Sequence, residues 1–371
     1  MDYTSHVTRD ASRVTNIMIK RKLTKTINLG GVKIGGIAPV SVQSMTKTDT
    51  RDVEKTVNQI KSLENMGCEI VRLAIPDEKA VEAFSEIKKK VRIPLVADIH
   101  FDYRLATGSI RAGADCIRIN PGNIGGRDKI KLVVNEAKAR EIPIRIGINS
   151  GSIEKDLLAK YGHPTPEAMV ESVLRHIEIM EDLNFYSLKL SLKSSDVMDT
   201  VEAYRIISSK TDYPLHLGIT EAGSSLAGTV KSSIGLGILL SEGTGDTLRV
   251  SLTAPPEEEV LAGYEILRTL GLREKAVEII SCPTCGRCEV NLFNLVKEIK
   301  EKTNHINRPL VIAIMGCVVN GPGEAKEADV GIACGKGTGV IFRKGEIYKK
   351  VKEEDMASVL LEEIFKETGS Q

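Results

Sequence analysis

The sequence predicts an α/β protein: a (β/α)8 TIM barrel followed by a small α/β domain. Three observations carry this. Short apolar strands alternate with helical segments eight times between about residues 39 and 253. Within those strands, apolar residues alternate with polar and cationic ones. After Pro255 and Pro256 the pattern stops, and a cysteine-bearing segment follows.

The eight strands are PVSVQSM, EIVRLAIP, PLVADIH, CIRINPGN, PIRIGINS, SLKLSLKSS, PLHLGIT and TLRVSLT. Helical periodicity fills the gaps. In RDVEKTVNQIKSLENMG, Val53, Val57, Ile60 and Leu63 share a face, and Gly67 supplies the C-terminal stop. DEKAVEAFSEIKKK and EAMVESVLRHIEIMEDL repeat the pattern. Eight units in little more than 200 residues favour a closed barrel; a doubly wound open sheet is the alternative.

The strand alternation places chemistry. Ile144, Ile146 and Ile148 oppose Arg145, Gly147 and Asn149; Leu188, Leu190 and Leu192 oppose Lys189, Ser191 and Lys193. Leu215, Leu217 and Ile219 oppose His216, Gly218 and Thr220, and Leu248, Val250 and Leu252 oppose Arg249, Ser251 and Thr253. Arg72 and Ala74, Asp98 and His100, and Arg118 and Asn120 share the polar faces of their strands. The apolar faces must meet the helices, so the polar faces point into the barrel. That interior then receives six cations, Arg72, Arg118, Arg145, Lys189, Lys193 and Arg249, against Asp98 and, at the mouth, Glu221. An unpaired buried charge is costly. An anionic ligand at the C-terminal mouth satisfies these cations, and guanidinium forks favour phosphate or diphosphate. The alternative is neutralisation by loop acids such as Asp49, Asp246 or Glu242.

The second domain has VEIIS before the run SCPTCGRCEV, and LVIAIMG before Cys317; ADVGIAC, GVIFRKG, EIYKKV and a helix from about residue 354 follow. GKGTG at 335–339 lacks phosphate-loop spacing and reads as a hairpin turn. The expected bounds are 1–24 for an N-terminal tail, 25–265 for the barrel and 266–371 for the second domain. Cys282, Cys285 and Cys288 form a C-x2-C-x2-C run, and Cys317 follows another predicted strand. Clustered thiols in a reduced compartment point to metal, and this spacing favours an iron–sulfur cluster over structural zinc. Spacing alone nominates all four cysteines as ligands. In MGCVVNGPGEA the glycines allow close backbone approach, and Glu324 can fold back as an oxygen ligand.

Bulk properties narrow the class. The 371-residue chain has net charge +1, 4% aromatics and no tryptophan, which argues against nucleic-acid and membrane-surface binding. No run suggests a membrane span or signal peptide, so a cytoplasmic location is expected. Cys68 and Cys116, at strand starts, read as buried small hydrophobes.

SCPTCGR and MGCVVNGPGEA together resemble the 4-hydroxy-3-methylbut-2-enyl diphosphate synthase family of the methylerythritol phosphate route to isoprenoids. The likeness extends through SVQSMTKTDT, ADIHFD, RINPGN, RIGINSGS, LKSSD, GITEAG and GDTLRVSLT, over residues 25–360. It implies a TIM barrel followed by a [4Fe–4S] domain in the bacterial two-domain form. It also implies a homodimer in which one subunit's cluster domain closes over the other's barrel. Carried across, the cluster ligands are Cys282, Cys285, Cys317 and Glu324, with Cys288 outside the family pattern. The implied substrate is 2-C-methyl-D-erythritol 2,4-cyclodiphosphate; its diphosphate fits the cationic interior, where Arg72, Arg118, Arg145, Asn149, Lys193, Arg249 and Ser251 are expected to clamp it. Electrons come from reduced flavodoxin or ferredoxin, and Glu221 is the implied proton donor, with a salt bridge to an arginine as its alternative role. Asp98 and His100 either orient substrate or satisfy the arginines. The rivals are a pterin-binding-type barrel transferase with a structural zinc module and a non-catalytic iron–sulfur carrier.

Overall fold

The structure, a computed structural model, describes residues 19–273, 277–303, 306, 308–317 and 328–369. It divides between residues 273 and 274 into two compact units.

The first unit opens with a hairpin of β1 (Ile27–Leu29) and β2 (Val32–Ile34). Eight parallel strands follow: β3 (Ser41–Met45), β4 (Ile70–Ala74), β5 (Leu95–Asp98), β6 (Cys116–Ile119), β7 (Ile144–Asn149), β8 (Leu188–Lys193), β9 (His216–Leu217) and β10 (Thr247–Leu248). Their order is β8-β7-β6-β5-β4-β3-β10-β9, and a parallel bridge between Leu190 and Leu215 joins the two ends. The sheet therefore closes, and the open-sheet alternative is set aside.

Several helices begin on a side-chain cap that relieves their unpaired N-terminal amides. Asp52 accepts from Lys55 N, Asp77 from Ala80 N, Asp102 from Arg104 N and Asp196 from Asp199 N. Thr165 caps the helix Pro166–Asp182, whose first position is proline. The helices bury their apolar stripes against the outward strand residues, among them Val71, Leu73, Ile144, Ile146, Ile148, Leu188, Leu190 and Leu192.

The β1–β2 hairpin seals one end of the barrel. Its Ile27, Leu29 and Ile34 cluster with Ile70, Val96 and Cys116. Those three lie two residues before Arg72, Asp98 and Arg118 on their strands, so they share the inward face. The barrel floor is thus apolar and plugged, and the polar inward residues lie above it. Cys68 and Cys116 are buried, as expected, and burial raises both thiol pKa values, that of Cys68 to about 12.

The second unit is a five-stranded sheet in sequential order: β11 (Val277–Ser281), β12 (Leu310–Met315), β13 (Val330–Gly335), β14 (Thr338–Arg343) and β15 (Glu346–Lys352). The first three are parallel and the last two antiparallel. The β13–β14 connection makes GKGTG a hairpin turn. Helices Leu292–Thr303 and Met356–Thr368 contribute Leu292, Ile299, Leu360 and Ile364 to a core with Ile312 and Ile332; Ala313, Met315, Ala333 and Phe342 form a separate cluster. Among the described residues, no helix is long and apolar enough to cross a membrane.

Candidate active site and metal centre

The barrel brings its cations inward. Arg145 and Lys189 are 1% and 0% exposed, and Arg118 and Lys193 are also buried. Register explains the grouping: Arg118 pairs with Arg145, Arg145 with Lys189, and Asn149 with Lys193 across adjacent parallel strands. Same-register neighbours on one face lie side by side.

Two glycines, Gly147 in β7 and Gly218 directly after β9, make room for two of these side chains. A Cβ on Gly147 would meet Arg118, with Nη2 at 3.1 Å and Cζ at 3.2 Å. A Cβ on Gly218 would meet Lys193 Nζ and lie 2.7 Å from the Arg249 carbonyl. Both glycines lie on inward faces, so each side chain occupies space that a larger strand residue would fill.

Two buried carboxylates partly offset the charge. Asp98 Oδ1 lies 3.3 Å from Arg118 Nη1, and its Oδ2 lies 3.6 Å from Arg72 Nε and 3.7 Å from His100 Nε2. Burial would raise the Asp98 pKa, but Arg72, His100, Arg118 and Arg145 hold it well below the usual carboxylate range. The second is Glu259, in the helix Pro256–Thr269. Its Oε2 accepts from Arg249 Nε at 3.2 Å and Ser44 Oγ at 3.1 Å. Its Oε1 accepts from Arg249 Nη2 at 3.3 Å and the Leu252 amide at 3.1 Å, and lies 3.1 Å from Lys47 Nζ. The β3–β10 ladder has only two residue pairs, and Glu259 links the two strands beyond it.

The loop acids considered as neutralisers make their contact ion pairs elsewhere, although the buried Asp246 charge still acts on Lys189. Asp49 pairs with Arg51, Asp246 with Arg21, and Glu242 with Arg205. Among the described residues, Arg145, Lys189 and Lys193 have no carboxylate partner within 4.0 Å. Buried side-chain atoms without a hydrogen-bond partner include Arg145 Nε and Nη1, Lys189 Nζ and His216 Nε2. Burial lowers the Lys189 pKa to about 8 and the Arg145 pKa to about 10; burial and the surrounding arginines push Lys193 well down. Such a donor-rich, under-neutralised interior favours an anionic ligand.

Asn149 ends β7 and Ser251 lies three residues past the end of β10, both half-buried, and Glu221 is exposed. The Glu221 backbone sits at φ 50°, in the left-handed region that costs a non-glycine residue energy. Glu259, Met45 and the two glycine slots have no distinguishing motif. Glu259 stands among Glu257, Glu258 and Glu259, with nothing local to single it out.

In the second unit, β11 leads into Cys282 and its parallel neighbour β12 into Gly316 and Cys317, with Ser281 opposite Ile314. Both cysteine segments therefore leave the same end of the sheet. A Cβ on Gly316 would lie 2.6 Å from Cys288 Sγ and 3.3 Å from Cys282 Sγ, and the Gly316 amide donates to Cys282 Sγ at 3.2 Å. Cys285 is exposed, and neighbouring Thr284 has φ 48°. The structure thus places Cys282 and Cys288 together. Among the described residues, no three His, Cys, Asp or Glu side chains are gathered for one metal ion. Glu324 and 318–327 lie outside the described residues. The soft thiol donors, the two sulfurs packed against Gly316, which has no side chain to bar them, and the amide bond to sulfur fit a thiolate-bound iron–sulfur group.

Fold and sites define a TIM-barrel protein with a cationic interior and an appended cysteine-bearing α/β domain. The profile of the GcpE TIM-barrel domain matches residues 24–264, and that of the GcpE protein C-terminal domain matches residues 278–366. The chain belongs to the GcpE family. A relative from Thermodesulfovibrio yellowstonii, named 4-hydroxy-3-methylbut-2-en-1-yl diphosphate synthase (flavodoxin), is 61% identical over 94% of this chain and 100% of its own length. A relative of the same name from Caldanaerobacter subterraneus subsp. tengcongensis is 62% identical over 94% of this chain and 99% of its own. Among solved structures, dihydropteroate synthase from Stenotrophomonas maltophilia matches 67% of this chain and 97% of that one, with 13% identity and a TM-score of 0.49.

Proposed function

We propose that this chain catalyses the reductive ring opening and dehydration of 2-C-methyl-D-erythritol 2,4-cyclodiphosphate to 4-hydroxy-3-methylbut-2-enyl diphosphate. The observation that carries the reading is the barrel interior, where Arg145, Lys189 and Lys193 lack a carboxylate partner among the described residues. The net reaction takes up two electrons and two protons, counted on neutral species, and releases one water.

Arg72, Arg118, Arg145, Lys193 and Arg249 bind the diphosphate, with Asn149 and Ser251 donating hydrogen bonds from the adjoining faces. Asp98 and Glu259 hold three of the arginines in place, so fewer donors have to reorganise when the anion arrives. Arg72, His100 and Arg118 hold Asp98 ionised, which supports a role in orienting Arg72 and Arg118 rather than in giving up a proton. Glu221 is the proton donor at the mouth; the left-handed backbone supports its assignment to the site. Enclosing the substrate within the barrel excludes bulk water.

Cys282, Cys285, Cys317 and Glu324 would hold a [4Fe–4S] cluster. When bound, it supplies single electrons and an oxygen-accepting Lewis-acid iron. Reduced flavodoxin is the electron donor suggested by the relatives' names, with ferredoxin the other candidate. A homodimer completes the proposal. It is supported by an exposed apolar stripe, Leu226, Val230 and Ile234, at successive turns of the helix Ser225–Ser241. Family membership across both domains favours this reading over the pterin-type transferase and the carrier.

The test is anaerobic turnover by the reconstituted chain with a chemical reductant and the cyclodiphosphate. Formation of the linear hydroxybutenyl diphosphate supports the proposal. A fully loaded, reduced chain that leaves the cyclodiphosphate intact refutes it.

A further inference from the structure

We propose that Met45 gates the diphosphate seat: its thioether lies on donor edges of Arg72 and Arg249 that phosphate oxygens take, so binding displaces it. This role rests on the diphosphate reading above and falls to a residue that reading leaves unused.

Met45 ends β3, opposite Arg72 on β4. Arg72 directs Nε at 3.1 Å and Nη2 at 2.9 Å onto Met45 Sδ. Arg249, directly after β10 on the other side of β3, directs Nη1 onto the same sulfur at 3.6 Å. Two guanidinium groups thus converge on one uncharged atom. The Nε/Nη2 edge is a fork that binds a carboxylate or phosphate through two parallel hydrogen bonds. A thioether is only a weak acceptor and cannot match an anionic oxygen there.

The surroundings leave the arginines few other choices. Glu259 fixes Arg249 through Nε and Nη2, leaving Nη1 directed at the sulfur. Asp98 lies 3.6 Å from Arg72 Nε and also pairs with Arg118. Met45 is half-buried, whereas Ser41, Gln43 and Ser44 of the same strand are buried. Its unbranched side chain has three rotatable bonds, so it can swing aside without moving the strand. Leucine or alanine at this position removes the acceptor while keeping an apolar residue.

The experiment uses the full chain carrying 13C-methyl methionine, titrated with inorganic pyrophosphate and followed by methyl NMR and calorimetry. Loss of one resonance in Met45→Leu assigns the Met45 signal. A gating Met45 gives a signal that shifts as pyrophosphate saturates the chain. Met45→Leu and Met45→Ala should also bind pyrophosphate about threefold to tenfold more tightly, since no thioether contact is given up. Two results overturn the proposal: an unmoved Met45 signal while Arg145-dependent binding proceeds, or weaker binding by folded Met45→Leu or Met45→Ala. The shift of the wild-type signal decides the matter even if one variant folds poorly. If wild-type binding is absent, or is unchanged in Arg145→Met, the diphosphate reading fails and the gating role falls with it.

Discussion

Gly147→Ala tests whether the glycine slots hold the cationic clamp in place. The Gly147 φ is outside the left-handed region, so alanine brings no backbone strain there. Its methyl would instead collide with Arg118, whose Nη2 and Cζ lie 3.1 and 3.2 Å from where that methyl carbon would sit. Arg118 can yield only by giving up its bonds to the Gly147 carbonyl at 3.1 Å and Asp98 Oδ1 at 3.3 Å. Hydrogen bonds involving charged groups contribute about 1.5–3 kcal/mol each, and partial re-pairing returns some of that, so a stability loss of about 2–4 kcal/mol is expected. Displacing one clamp arginine should also weaken pyrophosphate binding about 10- to 100-fold. Urea unfolding measures the first and calorimetry the second. Stability within about 0.5 kcal/mol of wild type, the range of a neutral substitution, together with unchanged affinity, would refute the slot argument.

Anion binding should be coupled to proton uptake above pH 8. Burial holds Lys189 near 8 and pushes Lys193 down, and a bound diphosphate favours their charged forms and raises both. Calorimetry at pH 8.5 in buffers of different ionisation enthalpy should report net uptake; identical heats contradict this. The same shift sets a stability trend. Between about 8 and 10.5 the unfolded chain holds a proton that folded Lys189 has released, so stability from this group rises with pH across that window. Lys189→Met should therefore stabilise most below pH 8, which urea titrations at pH 7 and 10 would check. At the proposed metal site, Cys282→Ser, Cys285→Ser and Cys317→Ser should each abolish the visible absorbance of the reconstituted chain, while Cys288→Ser keeps it. Loss in Cys288→Ser with retention in Cys285→Ser would reverse the ligand assignment.

The barrel was legible because period-two alternation exposes both faces of a strand at once. Arg145 between Ile144 and Ile146 already has to point inward, and its neighbours on β6 and β8 obey the same rule. What alternation cannot provide is distance between elements far apart in sequence. Glu259 meets Ser44 from 215 residues away, and nothing in a helix whose first proline is followed by three glutamates marks the third as buried. The β1–β2 hairpin escaped for a related reason: strands of three residues carry too little periodicity to register. Gly147 and Gly218 were visible on their faces, but the side chains filling their space come from neighbouring strands. In the second unit, the common sheet end of the two cysteine segments followed from strand prediction. The closeness of Cys288 to Cys282 depends on how the loop folds over Gly316, which spacing does not encode.

Everything proposed for this chain depends on the barrel interior being a diphosphate seat rather than a self-contained charge network. The most direct measurement is calorimetric titration of the cyclodiphosphate into the full chain and into Arg145→Met. A diphosphate seat gives one site per barrel, affinity that falls as salt rises, and a loss of at least about tenfold in the variant. Equal affinity in a folded Arg145→Met chain would contradict it.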